Sequence, residues 1–126
     1  MLFLPNALLL SNQLQSFFFY SIILQYQLDD LALYGLYGHL SLASLTGLVE
    51  GQVIPTGKQF ATFGVKEENG YWPPHLHFQL MFVMQGKEGD YPGVCQFSKK
   101  EIYLENCPDP ALILAHTFTS ALPKNA

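Results

Sequence analysis

The chain has 126 residues, of which 49% are apolar, 14% aromatic and only 13% charged, with a net charge of -4. That length fits one domain of ordinary size rather than two, and a charged share roughly half the usual one argues against a dominant disordered tail. Lysine and arginine number only six together, so there is no positive footprint for a phosphate backbone and nucleic-acid binding is not expected.

Residues 1–18 form an atypical N-terminal segment. Leu8-Leu9-Leu10 and Phe17-Phe18-Phe19-Tyr20 are apolar, yet no Lys or Arg precedes them and no clear signal peptide is present. Asn6, Asn12, Gln13 and Gln15 interrupt the run, so no stretch reaches the ~18 residues that a membrane span needs. The first 15 or so residues show no steady helical or strand period. From residue 19 to 84 the pattern is β-like. Ser21 to Leu28 and Leu31 to Leu40 read as a hairpin turning at Asp29-Asp30. Leu42, Leu45 and Leu48 recur at three-residue spacing, which predicts a short helical turn ended by Gly47. Two short strands, Gly51 to Ile54 and Phe60 to Gly64, flank a Pro55-Thr56-Gly57 turn. After the polar loop Lys66 to Gly70, Trp72-Pro73-Pro74 forces an extended entry, and His75 to Val83 reads as a long core strand. Residues 85–126 form a C-terminal extension with a turn-rich loop, a short helix over Ser98 to Asn106, and a final helix or strand over Ala111 to Phe118.

The chemistry-bearing residues are histidines. Side chains at i and i+2 of a strand point to one face, so His75 and His77 share a surface that Gln79 continues, while Leu76 and Phe78 face the other way. Their Cα atoms should lie ~6.5–7 Å apart, which lets one imidazole hold a metal while its neighbour reaches the metal-bound water. His39 closes another strand at a Gly38-His39 step, where the absent side chain admits a close approach. His116 has no motif around it and reads as a surface or half-buried residue.

Tyr37-Gly38-His39-Leu40-Ser41, the glycine-marked stretch Gly47 to Gly57 with Gly64, and Trp72-Pro73-Pro74-His75-Leu76-His77-Phe78-Gln79 together resemble the lysostaphin-type zinc endopeptidases, the peptidoglycan DD-metallopeptidase family. The resemblance covers about residues 21–83. It implies a mostly β fold: an antiparallel, barrel-sandwich-like metallopeptidase core with short helical turns. Position by position, it implies His77 as a ligand of Zn2+, His75 as general base toward the metal-bound water and His39 as stabiliser of the tetrahedral transition state. The implied partner is a peptide of bacterial peptidoglycan cross-links, and the family usually works in the cell envelope or outside the cell. Trp72 and Tyr71 would border the substrate groove. The tail around Asp90-Tyr91-Pro92-Gly93-Val94 looks like that of a branch fused to aminotransferase and kinase-like modules.

The family's two remaining zinc ligands come from a His-x-x-x-Asp motif upstream of the hairpin. None of the four histidines, at 39, 75, 77 and 116, has Asp four residues later. The expectation is therefore a truncated, N-terminally incomplete form, weakly active or inactive, with substoichiometric zinc. An incomplete sheet would expose a strand edge near residues 21–28 and invite self-association. The alternative is a non-catalytic module of the same fold that binds peptidoglycan or another partner. A biotin- or lipoyl-type carrier is disfavoured, because Lys58 lacks the hairpin-tip setting that such domains need. Cys95 and Cys107 have neither Cys-x-x-Cys nor zinc-finger spacing; they read as half-buried thiols, and a disulfide between them requires an oxidising compartment.

Overall fold

The computed structural model describes residues 6–16, 19–87 and 90–114, without the side chains of 13–16 and 19. Strands β1 (Ala7–Ser16), β2 (Phe19–Leu28) and β3 (Leu31–Gly38) form an antiparallel meander, with β4 (Val53–Ile54) and β5 (His77–Met81) at its flanks. The five-stranded sheet has the order β4-β1-β2-β3-β5 and does not close into a barrel. The fold is thus mostly β and antiparallel, as expected, but an open sheet. Its short helices are α1 (Leu42–Leu45) and α2 (Lys100–Asn106), with 3₁₀ turns at Lys66–Glu68 and Phe97–Lys99.

The hairpin at Asp29-Asp30 is present: Leu28 pairs with Leu31, so two residues make the turn. Asp29 adopts φ 51°, a left-handed conformation that Asp tolerates better than most residues. The region before it departs from expectation. Residues 7–16 are a ten-residue strand along β2, with register shifts between Leu9 and Ser11 and between Gln13 and Ser16. Each shift changes which face the next side chain takes, and this erases the two-residue period from the sequence. β2 consequently lies between β1 and β3, so the edge expected at residues 21–28 is not exposed, and self-association through it has no structural basis.

Two further expectations need correction. The segments around Pro55-Thr56-Gly57 do not pair with one another: β4 pairs with β1, whereas Phe63 bridges to Leu40. The turn therefore separates two segments with different partners. The strand expected over His75 to Val83 is only His77–Met81, and it lies at the sheet edge. Its start is set by the double-proline lead-in. Its end is set by Asn106, whose backbone carbonyl accepts from Phe82 N at 2.8 Å. The Asn106 side chain also accepts from Val83 N and donates to Val83 O, both at 2.8 Å. One side chain thus stands where another strand would pair.

Alternation along the strands gives the sheet two buried faces. One carries Ala7, Leu9, Ile22, Leu24, Tyr26, Leu33, Ile54 and Leu80 and is covered by Leu40 and Leu45. The other carries Ile23, Leu36 and Met81 and is covered by Tyr91, with Tyr103 and Cys107 packed alongside. On the first face Gly35 lets the Tyr26 ring cross the strand, since a Cβ there would sit 3.2 Å from both Tyr26 and Tyr37. The hydroxyls of Tyr26 and Tyr37 share a hydrogen bond, and burial raises the pKa of both, so the pair stays neutral. The C-terminal helix expected over Ser98 to Asn106 is present as the Phe97–Lys99 turn followed by α2. Residues 111–114 are helical, and the rest of the Ala111 to Phe118 expectation, with His116, lies outside the described residues.

Candidate functional site

The end of β3 and the start of β5 meet at one end of the sheet, because Gly38 pairs with His77. His39 follows directly and takes φ 61°, which swings the chain out of the strand path. Such a conformation costs a residue bearing a Cβ on the order of 1–3 kcal/mol, so the surroundings must hold it in place. The hold is visible: Gly64 N donates to His39 O at 2.8 Å, Leu40 N donates to Tyr20 O at 3.0 Å, and Ser41 N donates to Thr62 O at 3.0 Å. Gly64 has to be glycine for this strap to close, since a Cβ there would come within 2.8 Å of Leu40 O.

The three histidines singled out from the sequence come together. The ring of His39 lies 4.5 Å from that of His75 and 6.2 Å from that of His77, centroid to centroid. His75 precedes β5 rather than lying in it, so the two histidines are not related by simple strand alternation. Instead, His75 is placed by its lead-in. The buried Asn69 accepts from Trp72 N at 3.1 Å and donates to Pro73 O at 3.4 Å, fixing the bend that delivers His75 beside His39.

The partners of the two rings determine their tautomers. His75 Nδ1 lies 2.7 Å from Pro73 O, which can only accept, so Nδ1 carries the proton and the neutral ring keeps its lone pair on Nε2. Gln79 Nε2 donates to Pro92 O at 3.1 Å, which turns its Oε1 toward His77 Nε2 at 3.2 Å. His77 therefore carries its proton on Nε2 and its lone pair on Nδ1. His39 has its pKa lowered from the usual 6.5, first by burial and then by the nearby charges of His75 and His77. The lowered value of His39 favours its neutral imidazole, which lies half-buried beside the other two rings.

A groove of about 220 Å³ lies between Tyr37, Leu40, Phe60, Phe63 and Leu76; Leu40 and Leu76 are neighbours in sequence of the histidines, which do not themselves line it. Tyr71 and Trp72 stand on the surface of the lead-in, 76% and 66% exposed, and so offer aromatic faces to solvent rather than to the core. A catalytic zinc needs about three protein donors and a water. Among the described residues no group of three or more His, Cys, Asp or Glu side chains is arranged to hold a metal ion. The donors that are described therefore do not fit the zinc centre that the sequence resemblance implies.

The roles of Asn69 and Asn106 have no local sequence signal: the first lies in a polar loop and the second at the end of a predicted helix. Gly64 is marked in the sequence as a glycine closing an aromatic β-like segment, but not as the residue that lets the strap close. Among the described residues no helix is long and apolar enough to cross a membrane. No protein-family model, curated protein or solved structure matches the chain.

Proposed function

We propose that this chain is a metallopeptidase-type β-domain of the lysostaphin kind, which engages peptide cross-links of peptidoglycan at its histidine end and is weakly active or inactive as a hydrolase. The observation that carries this reading is the convergence of His39, His75 and His77, with ring centroids 4.5 and 6.2 Å from His39. The Tyr-Gly-His and His-Leu-His motifs that supply them are the same ones that carry the resemblance. In this reading His75, His77 and His39 form the polar end of the site, where the bound peptide meets imidazole nitrogens. A peptide would lie in the groove between Phe60, Phe63 and Leu76.

A second reading, a non-catalytic module that binds peptidoglycan or another peptide partner, is favoured by one specific observation. The described donors do not assemble a three-ligand metal site, while the groove and the histidine arrangement are kept.

One experiment separates the two. Purified chain is incubated with insoluble peptidoglycan, with and without chelator, and assayed for bound protein, zinc content and released cross-link peptides. Retention that survives the chelator, together with substoichiometric zinc and little or no release, supports the binding reading. Slow release abolished by chelator supports a residual peptidase. Absence of retention and of release in both conditions would overturn peptidoglycan as the partner, and one tightly held zinc per chain would overturn the weakly active assignment.

A further inference from the structure

The second face of the sheet holds a cavity of about 280 Å³ that the histidine site does not use. Both cysteines of the chain line it. Cys95 is exposed on the segment after Pro92, Cys107 is half-buried at the C-terminal end of α2, and both are free thiols. Eleven residues separate them in sequence (96–106), yet the fold places them around one space, with Gln79, Lys100 and Tyr103 completing the wall.

Gln79 ties this cavity to the histidines. Its amide nitrogen donates to Pro92 O at 3.1 Å and lies 3.7 Å from Cys107 Sγ, while its Oε1 accepts from His77 Nε2 at 3.2 Å. One side chain thus touches a thiol at one end and an imidazole at the other. The segment carrying Cys95 is not part of any ladder: Gly93, Val94, Cys95 and Gln96 are exposed and belong to no helix or strand. A disulfide requires Cβ atoms ~3.8 Å apart, and this segment can approach Cys107 without breaking a sheet ladder.

We propose that Cys95 and Cys107 form a thiol pair that is oxidised to a disulfide across this cavity by low-molecular-weight disulfides, and that closure is transmitted through Gln79 to His77. Cys95, the accessible thiol, attacks as its thiolate one sulfur of a glutathione-type disulfide. A mixed disulfide forms and one small thiolate leaves. The Cys107 thiolate then attacks the Cys95 sulfur, forming the internal bond and expelling the second small thiolate. Two protein thiols are oxidised, one small disulfide is reduced to two thiols, and the two protons end on the leaving thiolates. Closure pulls on the segment that begins at Pro92, whose carbonyl anchors the Gln79 amide, and turns Cys107 Sγ away from that same amide. Gln79 shifts with its anchor, and with it the hydrogen bond to His77.

The test uses the full chain, metal-free, treated with oxidised glutathione. Intact-mass analysis should show loss of two hydrogens and free-thiol titration should fall from two to none, both reversed by dithiothreitol. Nitrogen-15 NMR of the imidazoles should show a shift of the His77 ring nitrogens on oxidation that reverses on reduction. In Cys107→Ser the reaction should stop with one glutathione held on Cys95, and in Cys95→Ser the modification of Cys107 should be markedly slower. Gln79→Leu keeps both thiols and should form the disulfide while losing the oxidation-dependent shift at His77. Two glutathiones per chain with no internal disulfide would overturn the pairing. A disulfide that leaves His77 unshifted in the unsubstituted chain would overturn the coupling.

Discussion

The two faces of the sheet are closed by different physics. On the first, buried side chains from all five strands meet Leu40 and Leu45, and the contribution is spread over many apolar contacts. On the second, a smaller cluster around Ile23, Leu36, Met81 and Tyr91 is held by directed hydrogen bonds: Asn106 to Val83, Asn106 to the Tyr91 hydroxyl at 2.8 Å, and Tyr91 to Gln85 at 2.7 Å. An apolar face can lose one contact and keep the rest. A face fastened by a single buried amide depends on that amide, because removing it leaves several backbone groups without their partner. The histidine end lies where the two faces meet, with His39 strapped to the first and His77 linked through Gln79 to the second.

The largest effect should come from the first face. Leu24→Ala removes a fully buried side chain and should cost about 2–5 kcal/mol, read from the urea midpoint as loss of the whole cooperative transition toward lower denaturant. Asn106→Ala should cost less, about 1–3 kcal/mol, and act locally. Amide exchange at Phe82 and Val83 should accelerate while the amides of β2 stay protected. If exchange rose equally throughout β2, the two faces would be one cooperative unit and the contrast between them would collapse.

The smallest effect is set by pH. His39 binds its proton less readily in the fold than in the unfolded chain, so the unfolded state takes up more protons as pH drops through its usual pKa of 6.5. Stability from this group is complete above 6.5 and is lost as pH falls below it toward the depressed folded value. Urea unfolding from about pH 7.5 to about pH 5.5 should show this decline, and His39→Gln should flatten it. An unchanged slope in His39→Gln would place the pH dependence elsewhere.

Much of the molecule could be read from its residues. The hairpin at Asp29-Asp30, the short helix at Leu42–Leu45 and the β character of residues 21–40 follow from turn chemistry and alternation, which are local properties. The meeting of His39 with His75 and His77 was foreshadowed by two motifs, although the actual cause, a lead-in pinned by Asn69, was not. β1 was illegible because its two register irregularities scramble the alternation that identifies a strand. The C-terminal end of β5 falls short of its propensity for a related reason. Propensity runs on through Val83, but pairing stops where Asn106 takes over the hydrogen bonds, and no local signal in either segment announces a partner 23 residues away.

The Asp29-Asp30 turn has a practical consequence. β3 runs from Leu31 at that turn to Gly38 beside the histidines, eight residues or ~25 Å at the usual rise of a strand. Both aspartates are exposed, and the turn is the pole of the sheet opposite the histidine end. A fluorophore, affinity handle or inserted reporter placed there would extend into solvent, turning the hairpin tip into an attachment point from which ligand capture at the far end can be watched without obstructing it.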